Sequence, residues 1–149
     1  MISWRLVHER FASTAFDGEG ARLYGGRWNH RGQKVVYTSG AISLATLELL
    51  AGLPSIKILD AYICVPVDLP SEVVLDVDAL PEGWDFIPAG SVSKDIGSAW
   101  IQEGLSPVLK VPSVIIPSEM NYLLNPAHTD FGKLKIGKPR SFRFAPRFS

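Results

Sequence analysis

Several features common in secreted and membrane proteins are missing from this chain of 149 residues. It contains one cysteine, Cys64, so it cannot form an intramolecular disulfide. No apolar run approaches the roughly 18 residues that a membrane-spanning helix needs, and the first residues lack the basic start and apolar stretch of a signal peptide. These absences predict a cytoplasmic protein with no membrane contact. Cys64 itself lies in an apolar run that is typical of a core strand.

Signals for metal binding and for the common nucleophilic and phosphate-binding motifs are also missing. The histidines His8, His30 and His128 are far apart, and none has a second ligand at metal-binding spacing. The sequence has no Gly-x-Ser-x-Gly of a serine hydrolase, no Walker loop and no dinucleotide fingerprint. We therefore expect no bound metal and no resident cofactor.

Acidic residues are absent from the end of the chain, although the formal net charge of the whole is zero. After Asp130 the charged residues are all basic: Lys133, Lys135, Lys138, Arg140, Arg143 and Arg147. This segment is interpreted either as a strand or tail that packs on an acidic body, or as a patch for phosphates or an acidic partner. Zero net charge and the lack of a recognisable motif argue against direct nucleic-acid binding.

The residues that are present predict one α+β domain covering 1–149. A hydrophobic content of 46% and a charged content of 20% are sufficient for a buried core. Two helices are predicted, one with Ser43 as its N-cap and Gly52 at its end, and one over 91–103. Strands are predicted at 2–7, 34–38, 58–67, 72–76, 108–111, 114–116, 133–136 and 142–144. Because these elements do not alternate regularly, the pattern favours α+β over α/β.

Glu48 is the first candidate for a functional side chain. It shares one helical stripe with Leu44, Leu47 and Ala51, and the other faces of this helix are nearly as apolar. We therefore expect the helix to be buried on most sides. A buried carboxylate is costly unless it is paired, hydrogen-bonded or facing a cleft, so Glu48 is interpreted as a site residue.

Three further stretches carry polar side chains that are suited to ligand binding. In the glycine-rich loop 24–32, Gly25 and Gly26 permit close backbone approach, and Arg27 offers a planar fork for phosphate. A structural turn remains an alternative for this loop, as does simple packing for Tyr37 at the end of its strand. Ser118 and Asn121 are suited either to hydrogen-bonding a sugar or to fixing a turn.

Taken in order along the chain, these fragments resemble the RES domain. The resemblance is carried by Gly26-Arg27-Trp28-Asn29, by Val35-Val36-Tyr37, by Leu47-Glu48, and by Pro117-Ser118 with Asn121 and Asn125-Pro126-x-His128. It covers the chain from Trp4 to about His128. The arginine, glutamate and serine for which the family is named match Arg27, Glu48 and Ser118 here.

The resemblance implies a fold similar to ADP-ribosyltransferases of the diphtheria-toxin type, and a toxin of a bacterial toxin–antitoxin pair that depletes NAD. NAD is then a substrate and not a cofactor, and the implied partner is an Xre-like antitoxin. Cleavage of the nicotinamide–ribose bond builds positive charge on the ribose, which a carboxylate stabilises.

In this interpretation Glu48 binds the ribose, Arg27 the pyrophosphate and Tyr37 the nicotinamide, while Ser118 and Asn121 orient Glu48 or the ribose. Glu48, Arg27 and Tyr37 are the catalytic candidates. The acceptor stays open between water, inorganic phosphate and a protein side chain. The alternatives are a protein ADP-ribosyltransferase and a non-catalytic binding module with the same fold.

Overall fold

The computed structural model describes residues 1–53 and 56–145, and it is built around one mixed sheet. The strands are β1 (Ile2–His8), β2 (Val36–Ser39), β3 (Tyr62–Asp68), β4 (Val74–Asp76), β5 (Val108–Pro112), β6 (Met120–Leu124), β7 (Lys135–Ile136) and β8 (Arg140–Ser141). The α-helices are α1 (Glu19–Tyr24), α2 (Ile42–Leu50) and α3 (Ser91–Glu103). Short 3₁₀ helices cover Glu9–Thr14, Ile56–Ala61, Ser71–Val73 and Phe131–Lys133.

The strand order is β4-β5-β6-β2-β1-β3-β7, and β8 also pairs with β3. Only the β4–β5 pair is parallel among the described strands. With three short helices beside this sheet, the α+β prediction is confirmed. No helix in the described part of the chain is long and apolar enough to cross a membrane.

The sheet carries a hydrophobic core on each face, because successive strand residues point to opposite sides. On β6, Leu124 belongs to a cluster with Val36, Val67 and Val108, whereas its neighbour Leu123 belongs to a second cluster. The second cluster also contains Trp28 and Trp100, and Trp100 belongs to α3. Cys64 is buried in the sheet, as predicted.

Several predicted elements are confirmed, and others differ in their bounds. Helix α3 has the predicted range, but α2 begins at Ile42 with Ala41 as its N-cap, so the Ser43 cap is wrong. Residues 114–116 form bends and not a strand, because the buried Ser113 hydroxyl accepts hydrogen bonds from the backbone N–H groups of Ile115 and Ile116. A strand over Met120–Leu124 was not predicted.

The predicted strands at 58–67 and 72–76 each begin later than expected. Residues 58–61 and 72–73 lie in 3₁₀ turns, and only the chain after them is extended. The last predicted strand, 142–144, is wrong because the pairing with β3 occurs at Arg140–Ser141. Two short pieces of the basic segment, β7 and β8, pair with β3, and the Arg140 guanidinium lies 5.3 Å from the centre of the Trp4 ring. Arg147 lies outside the described residues.

The pairing between β1 and β2 is the feature that positions the site. These neighbouring strands are in register at only one pair, Trp4 with Ser39, whereas β1 pairs with β3 over its full length. The ladder therefore separates beyond Trp4, and the polar groups of the two strands face an opening. Helix α2 packs beside this fork, in contact with both strands.

Candidate active site

A cavity of about 440 Å³ occupies the fork between β1 and β2. A volume of this size is typical of small-molecule sites. The side chains with polar or charged groups that line it come from four elements and one loop: Arg5, Arg27, Tyr37, Thr38, Ser39, Glu48 and Asn121. Glu48 is the only carboxylate among the described residues that line this cavity, and two guanidinium groups share its walls.

Glu48 reaches the cavity from α2 and is held by a buried serine. The Ser113 hydroxyl donates a hydrogen bond to Glu48 Oε1 at 2.7 Å, and Ser113 has no exposed surface. The same hydroxyl oxygen accepts from the backbone N–H groups of Ile115 and Ile116 at 3.0 and 3.1 Å. With its acceptor sites used in this way, the hydroxyl proton is directed at the carboxylate.

The helix that carries Glu48 is less buried than predicted. Leu44, Ala45 and Thr46 are buried, but Leu47 is 42% exposed. The expectation of a helix buried on most sides is therefore wrong, because α2 contacts the sheet on one side only. Glu48 lies at the border of the buried face, where its carboxylate meets the cavity.

Arg5 is a cavity residue that the sequence analysis did not identify. Its Nη1 donates to the backbone carbonyl of Tyr37 at 3.1 Å and so bridges the fork, while its Nε donates to the carbonyl of Ala15. These bonds use two of the five N–H donors of a guanidinium. Burial lowers the pKa of Arg5, and the Asp17 carboxylate acts in the opposite direction. An arginine nevertheless stays charged in proteins, so Arg5 brings a positive charge to the cavity wall.

Arg27 also lines the cavity, but its side chain is partly engaged with the protein. Its Nη1 donates to the backbone carbonyls of Trp84 and Phe86 at 3.1 and 2.9 Å. The backbone carbonyl of Arg27 accepts from the Ser93 hydroxyl at 2.7 Å, which fixes the loop on α3. The predicted turn is therefore observed, and its arginine is tethered at both the backbone and the side chain.

Tyr37 contacts this loop through its hydroxyl group. The hydroxyl donates to Asn29 Oδ1 at 2.6 Å and accepts from the backbone N–H of Trp28 at 3.1 Å. Burial raises the pKa of Tyr37 far above its usual value, with the Trp28 hydrogen bond and the charge of Arg27 acting in the opposite direction. The phenol is therefore neutral at physiological pH.

The structure brings Asn121 to the cavity and leaves Ser118 outside it. Asn121 is buried on β6, and its Oδ1 accepts from the Ser39 hydroxyl at 2.7 Å. Ser118 is exposed in the turn before β6 and is not one of the lining residues. Thus Arg27, Tyr37, Glu48 and Asn121 lie around one cavity, while the serine that contacts Glu48 is Ser113.

The sequence analysis missed Arg5 and Ser113, and only Arg5 could have been suspected from the sequence. Arg5 shares a strand face with Ser3 and Val7, both buried. Alternation with the apolar Ile2, Trp4 and Leu6 assigns Arg5 to the polar face, and Val7 was the one sign in the sequence that this face is covered. Ser113 had no comparable signal, because two serines lie five residues apart in the same proline-containing stretch. Within residues 1–53 and 56–145, no group of three or more His, Cys, Asp or Glu side chains is arranged to hold a metal ion.

Sequence comparison finds relatives that match nearly the whole of this chain. The chain is 40% identical over 152 aligned residues to a Prs ADP-ribosylating toxin of Sphingobium sp., covering 97% of this chain and 94% of that protein. It is 38% identical to a Toxin Res of Photorhabdus laumondii, over 89% of this chain and 86% of the relative. A Toxin Res of Yersinia enterocolitica is 35% identical, with 99% of both chains covered.

A solved structure shows the same fold at lower sequence identity. It is the M. tuberculosis MbcT–MbcA toxin–antitoxin complex, in which one chain is 20% identical with a TM-score of 0.76, covering 95% of this chain and 83% of that chain. The family profile described as the RES domain matches residues 2–145. This match, together with relatives of 35–40% identity over nearly their full length, shows that the chain belongs to the RES domain family.

Proposed function

We propose that this chain is the toxin of a toxin–antitoxin pair and that it consumes NAD by cleaving the nicotinamide–ribose bond. One observation carries the proposal: Glu48 is the only acidic residue among the described residues that line a cavity, and two arginines, Arg5 and Arg27, line it as well. NAD requires this combination of charges, because its pyrophosphate is anionic and its ribose becomes cationic as the bond breaks. The names of the relatives, Toxin Res and Prs ADP-ribosylating toxin, support it.

Each wall of the cavity then has a role in binding or in bond cleavage. Glu48, oriented by Ser113, stabilises the positive charge that develops on the ribose. Arg5 and Arg27 bind the pyrophosphate oxygens, and the ring of Tyr37 lines the nicotinamide pocket. Asn121 and Ser39 offer hydrogen bonds to a ribose hydroxyl. In this proposal Ser113 takes the role that the sequence suggested for Ser118.

The first test follows nicotinamide release from NAD by chromatography. We expect the purified protein to release nicotinamide, and we expect Glu48→Gln to lose at least about 100-fold in rate because a neutral amide cannot stabilise the cationic ribose. Glu72→Gln is the matched control, since Glu72 is exposed and lies outside the cavity. Full activity in Glu48→Gln, with folding confirmed by circular dichroism, would disprove the role of this carboxylate.

The acceptor of the ADP-ribosyl group requires a separate measurement. Water and inorganic phosphate both need the same bond cleavage, so the cavity residues do not distinguish hydrolysis from phosphorolysis. Mass spectrometry of the products formed with and without phosphate separates them. ADP-ribose is expected from hydrolysis, and a product heavier by one phosphate from phosphorolysis.

Transfer of ADP-ribose to a protein is the second candidate function. It is favoured by the relative with 40% identity, which is named for ADP-ribosylation of Prs. Incubation with NAD labelled in the adenylate part, with purified Prs added, tests this candidate. Label on the protein together with slow bulk consumption of NAD would favour transfer, whereas rapid consumption without labelled protein would favour NAD depletion.

An antitoxin is the proposed protein partner. The support is the MbcT–MbcA toxin–antitoxin complex, one chain of which has the same fold, and we propose an Xre-like protein with a helix-turn-helix for this chain. Co-expression with the product of the adjacent gene is expected to restore growth of cells that express the toxin and to give a complex that co-elutes on size exclusion. Growth arrest that such a product does not relieve would contradict the pairing.

A further inference from the structure

The hydroxyl group of Tyr37 lies at the centre of a small hydrogen-bond network beside the cavity. It accepts from the Trp28 N–H and donates to Asn29 Oδ1, as described above. Asn29 has no exposed surface, and its Nδ2 donates to the backbone carbonyls of Ala21 and His30 at 3.0 and 2.9 Å. The phenol oxygen is thereby used both as a donor and as an acceptor within the protein.

The network encloses the Gly26–Arg27 turn. Gly26 and Asn29 form an isolated β-bridge, with the Gly26 N–H donating to the Asn29 carbonyl at 3.1 Å. A Cβ atom on Gly26 would lie 2.5 Å from the Tyr37 hydroxyl oxygen and 2.9 Å from Asn29 Oδ1. The turn therefore packs directly on the phenol, and glycine is required there because a side chain would displace it.

Tyr37 connects this turn to the other guanidinium of the cavity. Its backbone carbonyl accepts from Arg5 Nη1, while its hydroxyl contacts the turn that carries Arg27. The spacing of the two arginines around an anion therefore depends on one residue of β2. A residue whose hydroxyl is engaged in this way is poorly placed to exchange protons with a substrate, and its raised pKa is consistent with that.

We propose that Asn29 and the Tyr37 hydroxyl form a latch that holds the Gly26–Arg27 turn at the cavity wall before substrate binds, so that the phenol acts as a positioning group and not as an acid or base. The consequence for NAD cleavage rests on the function proposed above. The latch itself concerns only the conformation of the free protein. The latch and the proposed NAD cleavage can therefore be disproved independently of each other.

Steady-state kinetics with NAD test the consequence of the latch. Loss of the two hydrogen bonds of the Tyr37 hydroxyl is expected to raise KM about tenfold while kcat changes less than about threefold, because these bonds prepare the binding site. We expect this result for Tyr37→Phe, and a pH–rate profile of unchanged shape. Tyr62→Phe is the matched control, because Tyr62 is a half-buried strand tyrosine outside the cavity.

A double-mutant cycle tests the pairing of the two side chains. If the two side chains act as one unit, the double variant Tyr37→Phe/Asn29→Ala raises KM by no more than about the larger of the two increases seen in Tyr37→Phe and Asn29→Ala. A buried asparagine is a risk for folding, so Gly26→Ala provides a second route, since it keeps both side chains and displaces the phenol. A multiplicative effect in the double variant would overturn the latch. A kcat loss in Tyr37→Phe accompanied by loss of one limb of the pH profile would overturn it as well.

Hydrogen exchange separates failure of the latch from failure of the proposed function. In the free protein, Tyr37→Phe should speed exchange of the Trp28 backbone N–H by at least about tenfold, because this group loses its acceptor. This measurement needs no NAD turnover. Unchanged exchange at Trp28 would refute the latch even in an active enzyme, whereas faster exchange in a protein that does not cleave NAD would leave the latch standing and refute the reaction.

Discussion

At the scale of single residues, Arg5 is the most costly side chain of the cavity. Removing a guanidinium from water costs several kcal/mol unless hydrogen bonds and a counter-charge compensate. Arg5 donates to two backbone carbonyls, and among the described residues no carboxylate forms an ion pair with it. A positive charge maintained in this way stabilises the protein little, but it prepares the cavity for an anion. Its position therefore fits the anion-binding role proposed for this cavity.

Arg5→Lys is expected to lower kcat/KM for NAD by about 100-fold, since lysine keeps the charge but lacks the planar fork that holds two carbonyls and an anion together. Arg10→Lys serves as the control because Arg10 is exposed and lies outside the cavity. Steady-state kinetics on both variants, and on Arg27→Lys, identify the principal anion-binding residue. If only Arg27→Lys were impaired, the pyrophosphate would be assigned to Arg27.

The two candidate serines can be separated by matched alanine variants. Ser113→Ala removes the donor to Glu48 and leaves two backbone N–H groups without an acceptor, so we expect a kcat loss of at least about tenfold and a stability loss of about 1–3 kcal/mol. Ser118→Ala changes an exposed hydroxyl, so we expect its free energy of unfolding to change by no more than about 0.5 kcal/mol. Its kcat should stay close to that of the unmodified protein. Nicotinamide release and urea denaturation measure both effects. A larger activity loss in Ser118→Ala would restore the prediction made from the sequence.

At the scale of elements, α3 is the support on which the arginine-bearing loop rests. The buried residues Ser93, Gly97 and Trp100 have spacings of three and four, and therefore lie on one face of the helix. From this face Ser93 binds the Arg27 carbonyl, and Lys94 Nζ donates to the Gly26 carbonyl at 2.8 Å. Helix and loop approach so closely that a Cβ on Gly97 would lie 1.7 Å from the Trp28 carbonyl oxygen.

Gly97→Ala should therefore force α3 and the loop apart. We expect a stability loss of about 1–3 kcal/mol from overpacking, together with weaker NAD binding as the Gly26–Arg27 turn moves. Gly132→Ala is the control, because a Cβ there meets no atom within 4 Å and the backbone conformation is ordinary. Urea denaturation of both variants measures the difference. Equal stability would show that the loop is not packed on α3 as described.

At the scale of the whole molecule, one sheet separates two hydrophobic cores and opens as a fork between β1 and β2. The ladder between β1 and β3 is continuous, so the fork is a local separation within a well-paired sheet. Tyr37 lies where the fork meets the core under α3, and its ring packs against that core. Changes in its protonation are therefore expected to affect global stability, and not only the cavity.

The free energy of unfolding should decrease at alkaline pH because of Tyr37. Its pKa is raised in the folded state, so its contribution is fully present below the unfolded value of about 10 and is lost as the pH rises above it, by up to about 1.4 kcal/mol per pH unit. In Tyr37→Phe this part of the alkaline decrease should vanish. Denaturation series from pH 8 to about 11 on both proteins measure the slopes. Parallel slopes would show that the phenol titrates equally in both states.

Local sequence pattern determined much of this protein. Alternation located β1, the helix predicted over 91–103 has the bounds of α3, and the position of one acid in an apolar helix made Glu48 a site candidate. Arg27, Tyr37 and Asn121 were candidates through the resemblance to the RES domain, and the structure brings them together with Glu48 around one cavity. These features depend on the chemistry of a few neighbouring residues, which is why the sequence alone contains them.

Tertiary structure decided which groups meet across long separations in the chain. Glu48 and Ser113 are 65 residues apart, and nothing local distinguishes Ser113 from Ser118 as the partner of the carboxylate. Arg5 became a cavity residue because β1 and β2 separate after one pair, which depends on how both strands pack with α2. The engagement of the Tyr37 hydroxyl likewise requires the loop, β2 and α3 together. Residue types and their order are local properties, but distances between them exist only once the sheet has formed.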